Sequence, residues 1–259
     1  MRNRDLVHSS RSGLRRTRCR LGSGTLLRSA LLVGVVGWWV PAVRAQAPAS
    51  TDRVLATFAR GQWDSTQWIP VRLPHQPAAR ALVQRDSSVG TDAFAPEETK
   101  NGLDNVILVT DTGVTDGEIE VSFSLSDVKG TAPGLCLAPL IKDGVIEKAF
   151  TLFVASYTMA FWRAETDPQT GKTAYAHLAR VVRWNEPNRT HVLRCRFSQA
   201  QKAIVVRLDD GDPIMFKDFG VDVNSWIGVW GCHGPCDFYT VRLLAKPTLE
   251  WSASPPTTK

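Results

Sequence analysis

The sequence predicts an all-β protein, an antiparallel two-sheet jelly-roll sandwich. Short apolar runs of strand length recur along the chain, turn-forming residues separate them, and no long helical pattern appears. The clearest runs lie in residues 190–244, which read as strand, hairpin, strand and strand. In the hairpin, Ile204, Val206 and Leu208 alternate with the residues between them, as in a strand with one buried face. Asp210-Gly211 then supplies a tight turn, so this stretch predicts a meander that the preceding strands must cover.

The preceding residues supply further strands, about ten to thirteen in all, which fit one sandwich domain over residues 50–245. The cleanest is 117–126, where Ile119, Val121, Phe123 and Leu125 share one face. Residues 86–104 lack periodicity and predict a surface loop. Residues 246–259 are rich in Pro, Ser and Thr and predict a disordered tail.

The first 45 residues are typical of a signal peptide. A basic segment is followed by the apolar run 30–43 and by a small-x-small site, which predicts cleavage after Ala45, with Ala47 as the alternative. The apolar run is short for a transmembrane span, although an uncleaved anchor is the alternative. The sequence therefore predicts a secreted or periplasmic protein with no membrane span in the mature chain.

The positive charge of the chain is concentrated in this segment. The whole chain has a formal charge of +6, but residues 1–45 hold nine arginines and one acid. The remainder carries 22 basic and 24 acidic residues. It lacks the basic stripe of a nucleic-acid-binding protein, so no nucleic-acid partner is expected.

An even number of cysteines remains after Cys19 leaves with the signal peptide. In an oxidising compartment these four thiols predict disulfides, most simply 136–195 and 232–236. A zinc site at Cys232, His233 and Cys236 is the alternative, although the C-H-G-P-C spacing offers no second ligand pair.

Clustered acidic residues are the other candidate sites. Glu118 and Glu120 lie two residues apart on one strand face, about 7 Å, which suits paired carboxylates of a glycosidase, but alternating acids are also typical of a solvated face. No cofactor is expected; the alternative is structural calcium at residues 209–212 (DDGD), which first of all form a turn. Dinucleotide-binding, Walker, zinc-protease and serine-hydrolase motifs are absent from the sequence.

Aromatic and planar polar side chains on the middle strands predict a carbohydrate-binding surface. Proteins hold sugars by stacking their apolar faces on aromatic rings and by hydrogen-bonding their hydroxyls. Core packing is the alternative for each ring. The candidate ligand-binding residues are Tyr157, Trp162, Arg163, His177, Arg180 and Trp184.

The order of the strands resembles the concanavalin-like lectin and glucanase sandwich. The segments that carry the resemblance are GEIEVSFSLS, PGLCLAPL, FTLFVASY, TMAFWRAETDPQTGK, HVLRCRF, IVVRLDDGDPIMF, WIGVWG and DFYTVRL. They are most similar to the laminin-G-like branch that includes 3-keto-disaccharide hydrolases and domains of unknown function. The resemblance covers roughly residues 58–244 and implies the fold.

The resemblance does not extend to catalytic residues. The hydrolase branch carries N-S-G-(I/V)-x-x-R and E-x-Q-(I/L)-x-D strands, whereas residues 131–138 and 150–154 read TAPGLCLA and FTLFV. The E-x-D-x-x-E pattern of family 16 glucanases is also missing. The sequence therefore favours a secreted carbohydrate-binding protein, with a glycoside hydrolase of the 3-keto-disaccharide type and a non-catalytic structural or partner-binding domain as alternatives.

Overall fold

The structure, a computed structural model, describes residues 51–167, 169–170, 172–217 and 224–251 of the 259. The predicted signal peptide and residues 252–259 lie outside the described residues. The described residues form fifteen strands and one short helix, α1 (Pro96–Lys100). The strands are β1 (Arg53–Thr57), β2 (Ile69–Val71), β3 (Val83–Gln84), β4 (Val89–Thr91), β5 (Asn105–Asp111), β6 (Asp116–Leu125), β7 (Gly134–Lys142), β8 (Val145–Ala155), β9 (Thr158–Thr166), β10 (Thr173–Val182), β11 (Thr190–Ser198), β12 (Ala203–Leu208), β13 (Ile214–Lys217), β14 (Trp226–Cys232) and β15 (Cys236–Leu243).

The strands form two antiparallel sheets. The eight-stranded sheet has the order β13-β12-β11-β6-β15-β4-β3, and β1 pairs with β15 beside β4. The seven-stranded sheet has the order β10-β9-β8-β7-β14-β5-β2. The predicted all-β antiparallel two-sheet sandwich is therefore confirmed.

The main hydrophobic core lies between the two sheets. Alternate residues of each strand point into it, as the period of two requires. Phe161 of the seven-stranded sheet meets Phe216 of the eight-stranded sheet with ring centroids 4.4 Å apart, and Phe150 packs on both rings. These three rings join β8 and β9 of the seven-stranded sheet to β13 of the eight-stranded sheet.

The predicted strands of residues 190–244 are present, but they do not form one meander. β11, β12 and β13 pair consecutively, whereas β14 joins the seven-stranded sheet between β7 and β5. β15 then returns to the eight-stranded sheet beside β6. Alternation predicts that a segment is a strand, but it does not specify the strand's neighbours.

The β12–β13 turn also differs in detail from the prediction. The positive φ falls on Asp209, at 50°, rather than on Gly211. Gly211 serves a close approach instead, because a Cβ at this position would lie 2.5 Å from Nη1 of Arg183.

The predicted surface loop 86–104 contains β4 and α1. β4 pairs with both β15 and β3, so this part of the loop belongs to the sheet. At the start of α1, the Ala95 amide donates to Oε2 of Glu98 at 2.9 Å, which satisfies one of the amides that a helix N-terminus leaves unpaired. No helix in the described part of the chain is both long and apolar enough to cross a membrane.

The prediction of a disordered tail is wrong for residues 246–251. Glu118, expected on a solvated face, is completely buried because this segment crosses over it. Its carboxylate accepts hydrogen bonds from the amides of Thr248 and Leu249, at 2.6 and 2.9 Å, and from the Thr248 hydroxyl at 2.6 Å. Leu249 packs on Val205, and Trp251 lies under the Arg196 guanidinium. The alternation correctly predicted that Glu118 lies on the outer face, but it did not predict that residues 246–251 cross over it.

We predict that Glu118→Ala lowers the free energy of unfolding by about 3 kcal/mol, because two amides lose a charged acceptor in a buried position. Chemical denaturation with a common m-value would measure the change. Glu97→Ala, an exposed acid on α1, is the matched control and should stay within about 0.5 kcal/mol of the parent. Equal stability of the two variants would contradict the anchoring role of Glu118.

Candidate ligand-binding site

The outer face of the seven-stranded sheet is apolar, like its inner face. Residues that alternate with the main core form a second cluster there, which includes Ile107, Cys136, Ala149 and Trp230. One end of this face is covered where Arg72 bridges to Val145 at the start of β8. The other end remains open as a pocket of about 490 Å³, which we call the outer pocket.

The floor of the outer pocket depends on a glycine in β7. Gly134 lies in register with Trp230 on one side and with Phe153 on the other. A Cβ on Gly134 would lie 2.7 Å from the Phe153 ring. Without one, Phe153 and Trp230 meet edge to face with centroids 5.2 Å apart. The Trp230 indole N–H donates to Oδ1 of Asn105 at 2.9 Å, which fixes this ring.

One wall of the pocket is aromatic and comes from β9 and β10. Trp162 and Tyr175 line it. Trp162 alternates with the buried Phe161, and Tyr175 lies two residues before His177, the cross-strand partner of Trp162, so both rings lie on the outer face. His177 is paired with Trp162 across the strands, and the two rings contact at 4.5 Å. Burial raises the pKa of Tyr175 to about 12, with a smaller contribution from Cys232, so the phenol stays protonated over the physiological range.

A second aromatic group lies at the edge of the outer pocket, where the β8–β9 turn joins β9, because Thr158 of the pocket lining follows Tyr157 in sequence. Tyr157 and Trp184 are exposed by 67% and 55%, and their rings contact at 4.7 Å. Arg180 lies on the outer face near this pair and donates to the Thr158 hydroxyl at 3.0 Å. We call the pair Tyr157–Trp184 the terminal platform. Trp162 lies four positions after Thr158 along β9, a span of about 13 Å.

The opposite wall of the pocket carries a histidine–carboxylate pair. Asp104 is completely buried, and its Oδ2 is hydrogen-bonded to Nδ1 of His233, whose side chain is 46% exposed. The His233 amide also donates to the Asp104 carbonyl at 3.3 Å. His233 has a φ of 63°, uncommon for a residue with a side chain. His75 lies nearby, with Nε2 hydrogen-bonded to the Gly102 carbonyl at 2.7 Å.

The structure places the remaining predicted residues elsewhere. Arg163 lies on the opposite face of β9 from Trp162, because it alternates with it, and forms an ion pair with Glu165 at 3.8 Å. Glu118 and Glu120 lie on the outer face of the other sheet. Glu120 is bound by Arg194 and Arg242, at 2.9 and 3.2 Å. They therefore form no carboxylate pair at the outer pocket.

The predicted disulfides are wrong, since the four cysteines of the described residues are free thiols. Cys136 points to the outer face of the seven-stranded sheet, whereas Cys195 points into the main core. Cys232 and Cys236 are close in sequence, but Cys232 is the last residue of β14 and Cys236 the first of β15, which lie in different sheets. The two cysteines also belong to different hydrophobic clusters. The Cys232 thiol donates to the Ala132 carbonyl at 3.1 Å, and Cys236 contacts the Thr91 hydroxyl at 3.3 Å.

The same separation removes the alternative zinc site at residues 232–236. Within the described residues, no three His, Cys, Asp or Glu side chains are grouped to hold a metal ion. At the proposed calcium turn, Asp209 already accepts from the Val192 amide at 2.8 Å and is hydrogen-bonded to His191. Burial raises the pKa of Asp209, but these two hydrogen bonds, together with electrostatic interactions with His191 and Arg183, lower the pKa below its ordinary value.

Several pocket residues were not singled out from the sequence. The sequence pattern could have identified Tyr175, since it precedes His177 by two residues and lies on the same face of the strand. Asp104 has none, because it lies between α1 and β5 without periodicity, and only the fold brings it to His233.

Comparisons with known proteins give only distant structural likenesses. No protein family and no curated protein matches the chain. A carbohydrate-binding module, CBM66 from Bacillus subtilis, is 14% identical and covers 68% of this chain and 95% of its own, with a TM-score of 0.47. SCLam, a family GH16 endo-β-1,3(4)-glucanase, is 11% identical over 76% of this chain and 92% of its own, also with a TM-score of 0.47. The carbohydrate recognition domain of Emp47p is 11% identical over 76% of this chain and 98% of its own, with a TM-score of 0.48. The assignment of the fold rests on the strand order and registers given above.

We predict that all four thiols of the described domain react only when the protein unfolds. Burial raises the pKa of Cys236 to about 11 and that of Cys136 higher still, so little thiolate is available in the native state. A thiol reagent should label four cysteines of the signal-free chain in denaturant without reductant, and almost none natively. A count of two or zero in denaturant would show that disulfides form after all.

Proposed function

We propose that the protein binds a neutral carbohydrate in the outer pocket. The observation that carries the proposal is the aromatic wall of Trp162 and Tyr175, facing a polar wall across an apolar floor. A sugar ring has apolar faces and a hydroxylated edge, so it needs aromatic stacking surfaces and a few fixed hydrogen-bonding groups. Protein pockets that bind small ligands commonly have about this volume and this mixture of groups.

Hydrogen-bonding groups around the pocket suit sugar hydroxyls. Nδ1 of His233 is hydrogen-bonded to Asp104, and within the described residues Nε2 has no hydrogen-bond partner. The Tyr175 hydroxyl adds a donor and an acceptor. No Lys or Arg is among the residues that line the outer pocket, and the one carboxylate there, Asp104, is buried and hydrogen-bonded to His233, which favours a neutral sugar over a charged one.

The terminal platform extends the proposed site along the sheet. Tyr157 and Trp184 present ring surface to solvent on the same side as Trp162 and His177, with Arg180 beside them. Exposed aromatic rings in contact with one another fill no core, so their joint exposure at this surface favours a role in binding. An oligosaccharide that occupies the pocket and follows β9 would reach them.

A two-carboxylate glycosidase is less well supported. Among the residues that line the outer pocket, Asp104 is the sole carboxylate, and hydrolysis of this type needs two. The resemblance to the 3-keto-disaccharide hydrolase branch remains a hypothesis that concerns the fold more than the chemistry. A partner-binding role would use the same exposed rings and is distinguished by the binding experiments below.

Export is a separate part of the proposal. It rests on the basic segment, apolar run and small-x-small site of residues 1–45, and it would bring the protein to extracellular or periplasmic glycans.

We predict that Trp162→Ala weakens glycan binding by about 10- to 100-fold, because it removes the stacking surface of the wall. Affinity electrophoresis through gels cast with a panel of polysaccharides would find the ligand, and calorimetry would measure the loss. Trp251→Ala, a ring on the outer face of the other sheet, is the control and should bind like the parent. Equal binding by the Trp162 variant and the parent would exclude the outer pocket as the site.

We further predict that Trp184→Ala weakens binding of long oligosaccharides while disaccharide binding is unchanged. A disaccharide stacked on Trp162 does not span the about 13 Å of β9 between Trp162 and Thr158, the residue beside the platform. Calorimetry across a length series of the ligand would show the two variants diverging, since Trp162→Ala should weaken binding at every length. Loss of disaccharide binding in the Trp184 variant would contradict the extended site.

A further inference from the structure

The pair of Asp104 and His233 has a geometry that sugar binding alone does not require. A buried carboxylate holds Nδ1 of the ring, and a second contact between the two backbones holds the residue itself. This arrangement fixes the tautomer with the proton on Nδ1, so Nε2 is left as an acceptor on an exposed edge of the ring. A histidine oriented by a carboxylate beside a ligand pocket is the arrangement of a general base.

No side-chain nucleophile accompanies this base among the residues that line the pocket. The Cys232 thiol donates a hydrogen bond to the Ala132 carbonyl. Burial raises the pKa of this thiol well above the ordinary value, so the thiol stays protonated. The Thr158 hydroxyl donates to the Val181 carbonyl at 3.1 Å and accepts from Arg180. The nucleophile that remains for His233 to activate is water.

The facing wall supplies a neutral hydrogen-bond donor. Tyr175 lines the same pocket, and its phenol remains protonated. A base, an orienting carboxylate and a fixed donor are the groups that hydrolysis of an ester needs, because negative charge develops on the carbonyl oxygen during attack. The apolar floor of Phe153, Ala155 and Trp230 suits a small acyl group.

We propose that the outer pocket hydrolyses an ester on a bound sugar, such as an O-acetyl group, with His233 as general base, Asp104 as its positioning residue and Tyr175 as the oxyanion donor. The identity of the alcohol as a sugar rests on the proposed function. The ester chemistry rests on the pair itself.

In the first step, water attacks the acyl carbon while one of its protons passes to Nε2 of His233. The carbonyl π electrons move to oxygen, and the resulting oxyanion accepts a hydrogen bond from Tyr175. In the second step the oxyanion re-forms the carbonyl, the bond from the acyl carbon to the sugar oxygen breaks, and Nε2 returns the proton to that oxygen. One ester and one water give one carboxylic acid and one sugar hydroxyl, with His233 and Asp104 restored.

The test is acetate release by the full chain from O-acetylated oligosaccharides and from acetylated xylan, measured by NMR. We expect His233→Gln to lower kcat by at least about 100-fold. Asp104→Asn should lower kcat to a similar extent with KM unchanged, because it favours the wrong tautomer. Tyr175→Phe keeps the ring and should lower kcat by about 100-fold. Tyr239→Phe, whose hydroxyl contacts Ser124 on the other sheet, should match the parent.

Binding of the deacetylated glycan by each variant separates this inference from the proposed function. Retained binding with lost acetate release supports both. Acetate release without measurable glycan binding would contradict the proposed glycan binding and support the esterase activity. No release by the parent above the uncatalysed rate, or parental rates in His233→Gln, would overturn the esterase. Thermal melting of each variant identifies any that has failed to fold, and His233→Gln, an exposed substitution, then decides the outcome.

Discussion

The seven-stranded sheet buries apolar side chains on both of its faces, and this double burial determines where a pocket forms. Its inner face packs on the eight-stranded sheet, while its outer face carries residues such as Ile107 and Ala149 that are completely buried. An apolar outer face needs a cover, since water would otherwise contact it at a cost of about 25 cal/mol per Å². The bridge between Arg72 and Val145 covers one end, and the aromatic rings of the outer pocket line the other.

The passage of the chain from one sheet to the other at residues 232–236 has several consequences. It separates Cys232 from Cys236 by placing them at the ends of strands in different sheets, so their closeness in sequence does not bring about a disulfide. It also puts His233 at the mouth of the outer pocket, in a backbone conformation that residues with a Cβ adopt infrequently. The hydrogen bonds to Asp104 hold it there. One short connection thus accounts for both the failed cysteine prediction and the candidate base.

The sequence predicted local structure well and spatial neighbours poorly, for a physical reason. Alternation is a property of one strand, and it located β6, β9, β10 and β11 to β15 within a few residues. Sheet membership depends on contacts between distant segments, which one strand's pattern does not contain. Glu118 shows the limit: its face was predicted correctly, but its partners come from residues 248 and 249, about 130 positions away. Asp104 and His233 are likewise distant in sequence, and no local pattern links them.

The candidate ligand residues on β10 show how a bulge changes such a prediction. Strict alternation puts Tyr175, His177 and Ala179 on one face, but the register shifts between His177 and Ala179, so Arg180 takes the outer position and Ala179 enters the core. The bulge thereby lets one strand present rings and a guanidinium to the same side while small residues fill the core.

The two walls of the outer pocket come from separate segments of the chain. The aromatic wall belongs to the strands β9 and β10 at one edge of the sheet, whereas the histidine pair belongs to the connection after β14 and the segment before β5. Because separate segments carry the two walls, a substitution of Trp162 that changes which glycan stacks there leaves the hydrogen bonds of His233 and the Tyr175 hydroxyl in place, and the two proposed activities can be separated by mutation.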